Sequence, residues 1–228
     1  FSPLLQRAHE DSQLASIERE GLKVFIAQAD ALVAMVELRS QKLADPSVSP
    51  SSLLRAKIHQ AMNDARLKGL HGQAARLELS WRQASATELE GEKQQRFATQ
   101  TGAINALLGL IQASARTHHL SVDAEIDAVS DMLTRRLPLV IETLSKQQDA
   151  LALGVEEMSS YAVGAQVVLT DSVPDLKSGV AQLLDRVPAI SSLKSKLTDL
   201  LDGIARQQDT ADRALGDISA TEELRTLT

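Results

Sequence analysis

The chain has 228 residues, no cysteine, five aromatic residues (one Trp, one Tyr and three Phe) and a formal net charge of −6. The length suffices for a large buried core, whereas the absence of cysteine excludes disulfides, thiolate metal sites and cysteine nucleophiles. The negative charge argues against nucleic acid as a partner, because a duplex binder normally has a basic face. It also disfavours adhesion to an anionic membrane surface.

Apolar residues recur every three or four positions along nearly every long stretch, which is the period of an amphipathic helix. No alternation typical of a strand extends beyond four residues. The sequence therefore predicts an all-α protein, an elongated up-down bundle with two long terminal helices. We expect residues 1–228 to form a single domain, either one bundle or two four-helix bundles stacked end to end.

The first half of the chain is predicted to hold four helices. The first covers residues 2–44 and ends at a segment with two prolines, 45–50. The second begins at Ser51 or Ser52, because a serine hydroxyl is a good N-cap, and ends near Gly69. The third covers residues 73–85.

Ser85 and Glu88 have the spacing of a capping box at the start of the fourth helix, which is predicted to continue to about His118. A fifth helix is predicted from residue 123 or 124 to Leu153, with a kink or break near Leu137 because Pro138 lies inside it.

The last predicted helical stretch covers residues 155–220 and contains Pro174 and Pro188, which mark either kinks or helix starts. Because the two terminal segments are long, the two ends of the chain are expected to lie side by side. The chain begins at Phe1 without an initiator methionine, so we expect it to be a piece of a longer protein.

No motif in the sequence indicates an enzyme. The glycines are scattered and form no phosphate-binding loop, and no G-x-S-x-G occurs. Adjacent helical residues such as His118 and His119 point about 100° apart and cannot bind one metal ion in the usual way. We therefore expect no catalytic residues, no metal and no cofactor.

Four polar residues are the candidate ligand-binding set. Arg39 ends an apolar stripe, and arginine is well suited to hold a carboxylate or nitrate through two hydrogen bonds; it could equally interact with the carbonyls at the end of its helix. Thr101 and Asn105 lie four residues apart on an inward stripe, where they could line a pocket or bond to the backbone. Arg135 would supply a second charge, although Asp131 is its ordinary i, i+4 partner.

Several segments form a recognisable pattern: residues 18–22 (EREGL), Arg39-Ser40, Trp81, the F-x-x-x-T-x-x-I run from Phe97, and residues 120–123 and 132–138. Together they resemble the periplasmic helical sensor domains of bacterial chemotaxis proteins, diguanylate cyclases and sensor kinases. The chain departs from the family pattern at Leu38, Ser40 and Val129, where the family often has His or Glu, Gly and an aromatic residue.

These domains are similar to helical bimodular and nitrate/nitrite-sensing domains, so the resemblance implies a sensor that binds a small anion, such as an organic acid or nitrate. It also implies a periplasmic location, a parent protein anchored in the inner membrane and a homodimer. A chemoreceptor is the primary expectation. The alternatives are the sensor of a histidine kinase or diguanylate cyclase, and a helical interaction or spacer module that senses through a binding-protein partner. An interaction module is expected to show an exposed groove in place of a buried polar pocket.

Overall fold

The computed structural model describes residues 3–86, 93–117, 131–153, 156–186 and 194–226. All regular structure in these ranges is helical, which confirms the predicted all-α class. The described ranges contain seven α-helices: α1 (Pro3–Ala44), α2 (Ser52–Leu67), α3 (His71–Ser85), α4 (Lys93–Thr117), α5 (Leu137–Leu153), α6 (Glu156–Arg186) and α7 (Lys194–Thr226). A π-helical segment, Met132–Arg136, directly precedes α5.

The ends of α1 and α2 follow the local chemistry of the sequence. Ser51 is the N-cap of α2, and its hydroxyl accepts a hydrogen bond from the Leu54 amide at 3.1 Å. After α2 the chain reverses at Gly69, whose φ of 78° lies in the left-handed region that glycine adopts without a steric penalty. Ser85 of the predicted capping box is the last residue of α3, and its hydroxyl donates to the Arg82 carbonyl at 3.4 Å. Its predicted partner Glu88 and the predicted start of a helix at 123 or 124 lie outside the described residues.

The prolines in the second half have different consequences. The Leu137 amide bonds to the Met132 carbonyl, five residues earlier, so a widened turn stands before the ring of Pro138. Of the kink or break that the sequence predicts near Leu137, the break is absent, because helical structure continues from residue 131 to 153. Pro174, in contrast, lies inside the 31-residue α6, so the interpretation of this proline as a helix start is wrong. Pro188 lies outside the described residues.

Helices α1 to α4 pack around one apolar cluster. Salt bridges of Lys57 with Asp30 and of Lys68 with Glu20 set α2 antiparallel to α1. Trp81 points inward as predicted and is 6% exposed. The cluster is formed by leucine, alanine, methionine and isoleucine side chains around this tryptophan, among them Leu32, Met35, Ile58, Met62, Leu77, Ile104, Leu107 and Ile111.

A second apolar cluster joins the π-helical segment to α5, α6 and α7. The Gln147 amide donates to the Gln166 side-chain oxygen at 2.7 Å and so aligns α5 with α6. Gly179 lets α6 approach the π-helical segment closely, because a Cβ at this position would overlap the Met132 methyl group. The members of the cluster are Met132, Val140, Leu144, Leu169, Val173, Leu176, Val180 and Ile204.

A smaller third cluster connects the two groups of helices. Leu43 of α1, Phe97 of α4, Ala150 of α5 and Ala162 of α6 are its buried members. Within the described ranges, α7 packs mainly on α5 and α6, and α1 packs mainly on α4, α2 and α5. Direct packing of the two terminal helices, which the sequence suggested, is not among these main contacts.

Candidate functional site

Arg39 is the centre of a buried polar cluster where α1, α4 and α5 meet. The residue is 0% exposed. Its Nε donates to Asp149 Oδ2 at 2.6 Å, and its Nη1 donates to Glu142 Oε1 at 2.6 Å. Nη1 also donates to Thr101 Oγ1 at 3.2 Å, and Nη2 donates to Ser145 Oγ at 3.0 Å. We call Arg39, Thr101, Glu142, Ser145 and Asp149 the Arg39 cluster.

Helix α5 supplies three members of the Arg39 cluster from one face. Glu142, Ser145 and Asp149 are spaced by three and four residues, so their side chains project in one direction. The hydroxyl of Ser40 donates to Asp149 Oδ1 at 2.6 Å, which gives each oxygen of this carboxylate a partner. The stripe places two acids opposite Arg39 of α1.

An aromatic ring closes the Arg39 cluster on the α4 side. The guanidinium carbon of Arg39 lies 5.4 Å from the centroid of the Phe97 ring, within the range of a cation–π contact. Phe97 itself meets Tyr161 edge to face, with centroids 5.5 Å apart. The apolar side of the cluster therefore keeps water away from the ion pairs.

The charges of the Arg39 cluster do not balance when both acids are ionised, because one guanidinium faces two carboxylates. Burial raises the pKa of Glu142 above its ordinary value, although the charge and the hydrogen bond of Arg39 oppose the shift. Oε2 of Glu142 is buried without a hydrogen-bond partner in the described part of the chain. A proton on Glu142 would therefore reduce the excess of negative charge in the cluster.

Four of the five N–H groups of Arg39 are used by the chain itself. An incoming anion would have to displace Glu142 or Asp149 from the guanidinium and would face the charge of the displaced carboxylate. The role of Arg39 as a ligand clamp stays a prediction. In this geometry Arg39 holds three helices together. Its hydrogen bonds go to side chains, and not to the carbonyls at the end of its own helix, which was the alternative that the sequence offered.

The four candidate ligand-binding residues do not converge on one place. Arg39 and Thr101 are in contact, and Thr101 is buried as expected. Arg135 is exposed and forms the expected pair with Asp131, Nε to Oδ1 at 2.6 Å. Hydrogen bonds and charge from Arg135 and Arg136 lower the pKa of Asp131, against the opposing effect of burial, and the same pairing with Asp131 raises the pKa of Arg135.

Asn105 lies on the outside of α4, so the expectation that it continues an inward stripe is wrong. The reason is geometric. Each step of four residues turns about 40° beyond a full helical turn, so the series from Phe97 through Thr101 to Asn105 drifts off the buried face. Asn105 instead lines an open groove between α3 and α4 of about 520 Å³.

Sequence reasoning missed Glu142, Ser145 and Asp149. The available signal was their i, i+3, i+7 spacing on a helix whose neighbouring positions, such as Val140 and Leu144, are apolar. Such a polar stripe facing the core indicates a buried polar cluster. Their partner could not be identified from spacing, since Arg39 lies 103 and 110 residues away from the two acids.

No family model matches this sequence, and no curated protein or solved structure matches it either. None of the described helices is both long enough and apolar enough to cross a bilayer. Within the described ranges, no three His, Asp or Glu side chains come together in a way that could hold a metal ion.

Replacing Arg39 with Met is expected to lower the free energy of unfolding by about 3–5 kcal/mol, because two buried carboxylates lose their cation. Substituting the whole group, Arg39→Met with Glu142→Leu and Asp149→Leu, is expected to recover at least half of this loss. Arg135→Met is the matched control, since an exposed ion pair contributes about 1 kcal/mol or less. Urea denaturation measures all three; a triple variant no more stable than Arg39→Met would contradict the account.

The raised pKa of Glu142 predicts the direction of a pH effect. Its folded pKa lies above the unfolded value near 4.5, so the stability that its proton provides is complete below that pH and is lost as the pH rises. Glu142→Gln cannot ionise. Its free energy of unfolding, relative to the unchanged protein, is therefore expected to increase between about pH 4.5 and 7.

The same denaturation series on Glu78→Gln serves as the control. Glu78 is half-exposed and has two arginine partners, Arg66 and Arg82, so neutralising it brings no gain at higher pH. A flat or falling difference for Glu142→Gln over this pH range would show that the carboxyl is ionised in the cluster at little cost.

Proposed function

We propose that the chain is the extracytoplasmic sensor domain of a bacterial transmembrane receptor, most simply a chemoreceptor, that binds a small anion and transmits a helix shift. The proposal includes a periplasmic location and a homodimeric parent protein anchored in the inner membrane. The observation that carries it is the Arg39 cluster, which fixes the long helix α1 to α4 and α5 through short, directional contacts.

Directional contacts of this kind favour two discrete packings over continuous sliding. A guanidinium that bonds to Thr101, Glu142 and Asp149 at once tolerates little displacement, because hydrogen bonds weaken steeply as they lengthen and bend. A ligand that changes the packing of α4 would therefore favour either the present arrangement or one in which several bonds exchange together. Shifts of about 1–2 Å between packed helices are the usual size of such transitions.

The length of α1 supports the transmission step. Its 42 residues extend over about 60 Å at 1.5 Å per residue. Arg39 lies close to its C-terminal end, so a change at the cluster acts on one end of a long rod. Differential binding of the ligand to the two packings would supply the free energy for the shift.

A protein-interaction module is the second candidate, and two surface features favour it. The pocket between α3 and α4 is an open groove, and α6 exposes Val163, Val167 and Val168, which are 52%, 64% and 39% exposed. Exposed apolar faces of this kind occur at protein interfaces. In this alternative a periplasmic binding protein would carry the ligand.

Thermal unfolding with a panel of organic acids, amino acids, nitrate and nitrite tests the proposal. A compound present at 100 times its dissociation constant adds about 2.7 kcal/mol, which raises the midpoint of a chain of this size by about 5–10 °C. Sodium chloride at equal ionic strength is the control for salt effects. Stabilisation by one anion class is the expected result; no shift with any compound would overturn direct sensing of an anion.

A further inference from the structure

The groove between α3 and α4 has an unusual lining for an acidic protein. Ten residues line it, and not one is a carboxylate, although the chain contains 30 Asp and Glu residues. The lining consists of two arginines, polar neutral side chains and small or apolar residues: Gln73, Arg76, Leu79, Ser80, Gly102, Asn105, Ala106, Gly109, Gln112 and Arg116.

Within the described residues, no carboxylate neutralises the charges of the two groove arginines. Arg76 and Arg116 are exposed, and neither forms an ion pair or side-chain hydrogen bond in the part of the chain that the structure describes. Arg66 and Arg82, on the neighbouring surface, share Glu78. The groove is therefore a local positive site on a molecule with a net charge of −6.

The register of the two helices sets how far apart the backbone positions of the two arginines lie along the groove. Gln100 Nε2 donates to the Ala84 carbonyl at 2.6 Å, so α3 and α4 are antiparallel and Arg76 lies level with Gly109. Arg116 is seven residues further along α4, a rise of about 10 Å. Gln73 and Gln112 lie between the two levels and offer amide donors and acceptors.

The floor of the groove is open because of two glycines. A Cβ added at Gly102 or Gly109 would meet no other atom within 4 Å. Together with Asn105, Gln112 and Arg116 these glycines are spaced by three and four residues and form one exposed face of α4. The result is an open groove of about 520 Å³ lined by both helices.

We propose that this groove binds an elongated dicarboxylate, with one carboxylate on Arg76 near Gly109, the other on Arg116 and the chain between them passing Gln112. This inference rests on the proposed function, because it identifies the site and the shape of the anion that the sensor binds. A chain of about eight carbons matches the rise of about 10 Å between the levels of the two arginines, whereas a shorter dicarboxylate would require both side chains to bend towards each other.

Isothermal titration calorimetry with succinate, adipate and suberate tests the predicted length dependence. Suberate is expected to bind most tightly, and octanoate, which has one carboxylate, at least about tenfold more weakly, since it forms one charge-assisted contact where suberate forms two. Equal affinity for suberate and octanoate would overturn the two-arginine site.

Substitutions then locate the site. Arg76→Gln and Arg116→Gln are each expected to weaken suberate binding about 5- to 10-fold, as expected for one charge-assisted contact at a partly exposed position. Arg82→Gln, an exposed arginine on the same helix that is paired with Glu78, is the matched control and is expected to leave the affinity unchanged.

Gly109→Leu places a side chain in the groove at a position where a Cβ meets no other atom within 4 Å, and it removes a helix-weakening glycine. The variant is therefore expected to fold and to lose suberate binding. Gly164→Leu is the control, because Gly164 is an exposed glycine in α6 with equal space around it. Unchanged binding in Gly109→Leu would overturn this site while leaving the sensor proposal intact. Failure of every anion in the panel to bind the unchanged protein would overturn both.

Discussion

Burying the charge of Arg39 requires the chain to bring carboxylates to it from distant parts of the sequence. An isolated ionised group inside a protein costs far more than one hydrogen bond can return. Glu142 and Asp149 meet this requirement from one face of α5, and Thr101 adds a neutral contact from α4. The position of α5 against α1 and α4 is thus fixed by electrostatics as well as by the leucine and alanine contacts around it.

The structure contains two sites with opposite electrostatic character. The Arg39 cluster is buried and holds two acids for one arginine. The groove between α3 and α4 is open, lacks carboxylates and carries Arg76 and Arg116. Since Thr101 contacts Arg39 and Gly102 lines the groove, α4 joins the two sites through consecutive residues. A rotation of α4 on ligand binding would therefore reach the cluster that holds α1.

The helices were predictable from the sequence because their signals are local: the apolar period, the Ser51 cap and the glycine at position 69 each act within a few residues. The candidate site was less predictable from the sequence than the helices. Arg39 was identified by its residue type, but its partners are set by tertiary packing across more than 100 residues. Asn105 was misplaced because a four-residue spacing drifts around a helix. The groove arginines gave no sequence signal, since exposure and the lack of a partner exist only in the folded chain.

Amide hydrogen exchange on the unchanged protein, Arg39→Met and Arg135→Met tests most directly whether the Arg39 cluster holds three helices as one unit. The account predicts that Arg39→Met lowers protection around Thr101 in α4 and around Glu142 in α5, as well as in α1, because local stability there depends on shared contacts. Arg135→Met is expected to leave all three unchanged. Faster exchange confined to the turn of α1 around residue 39 would contradict the central claim.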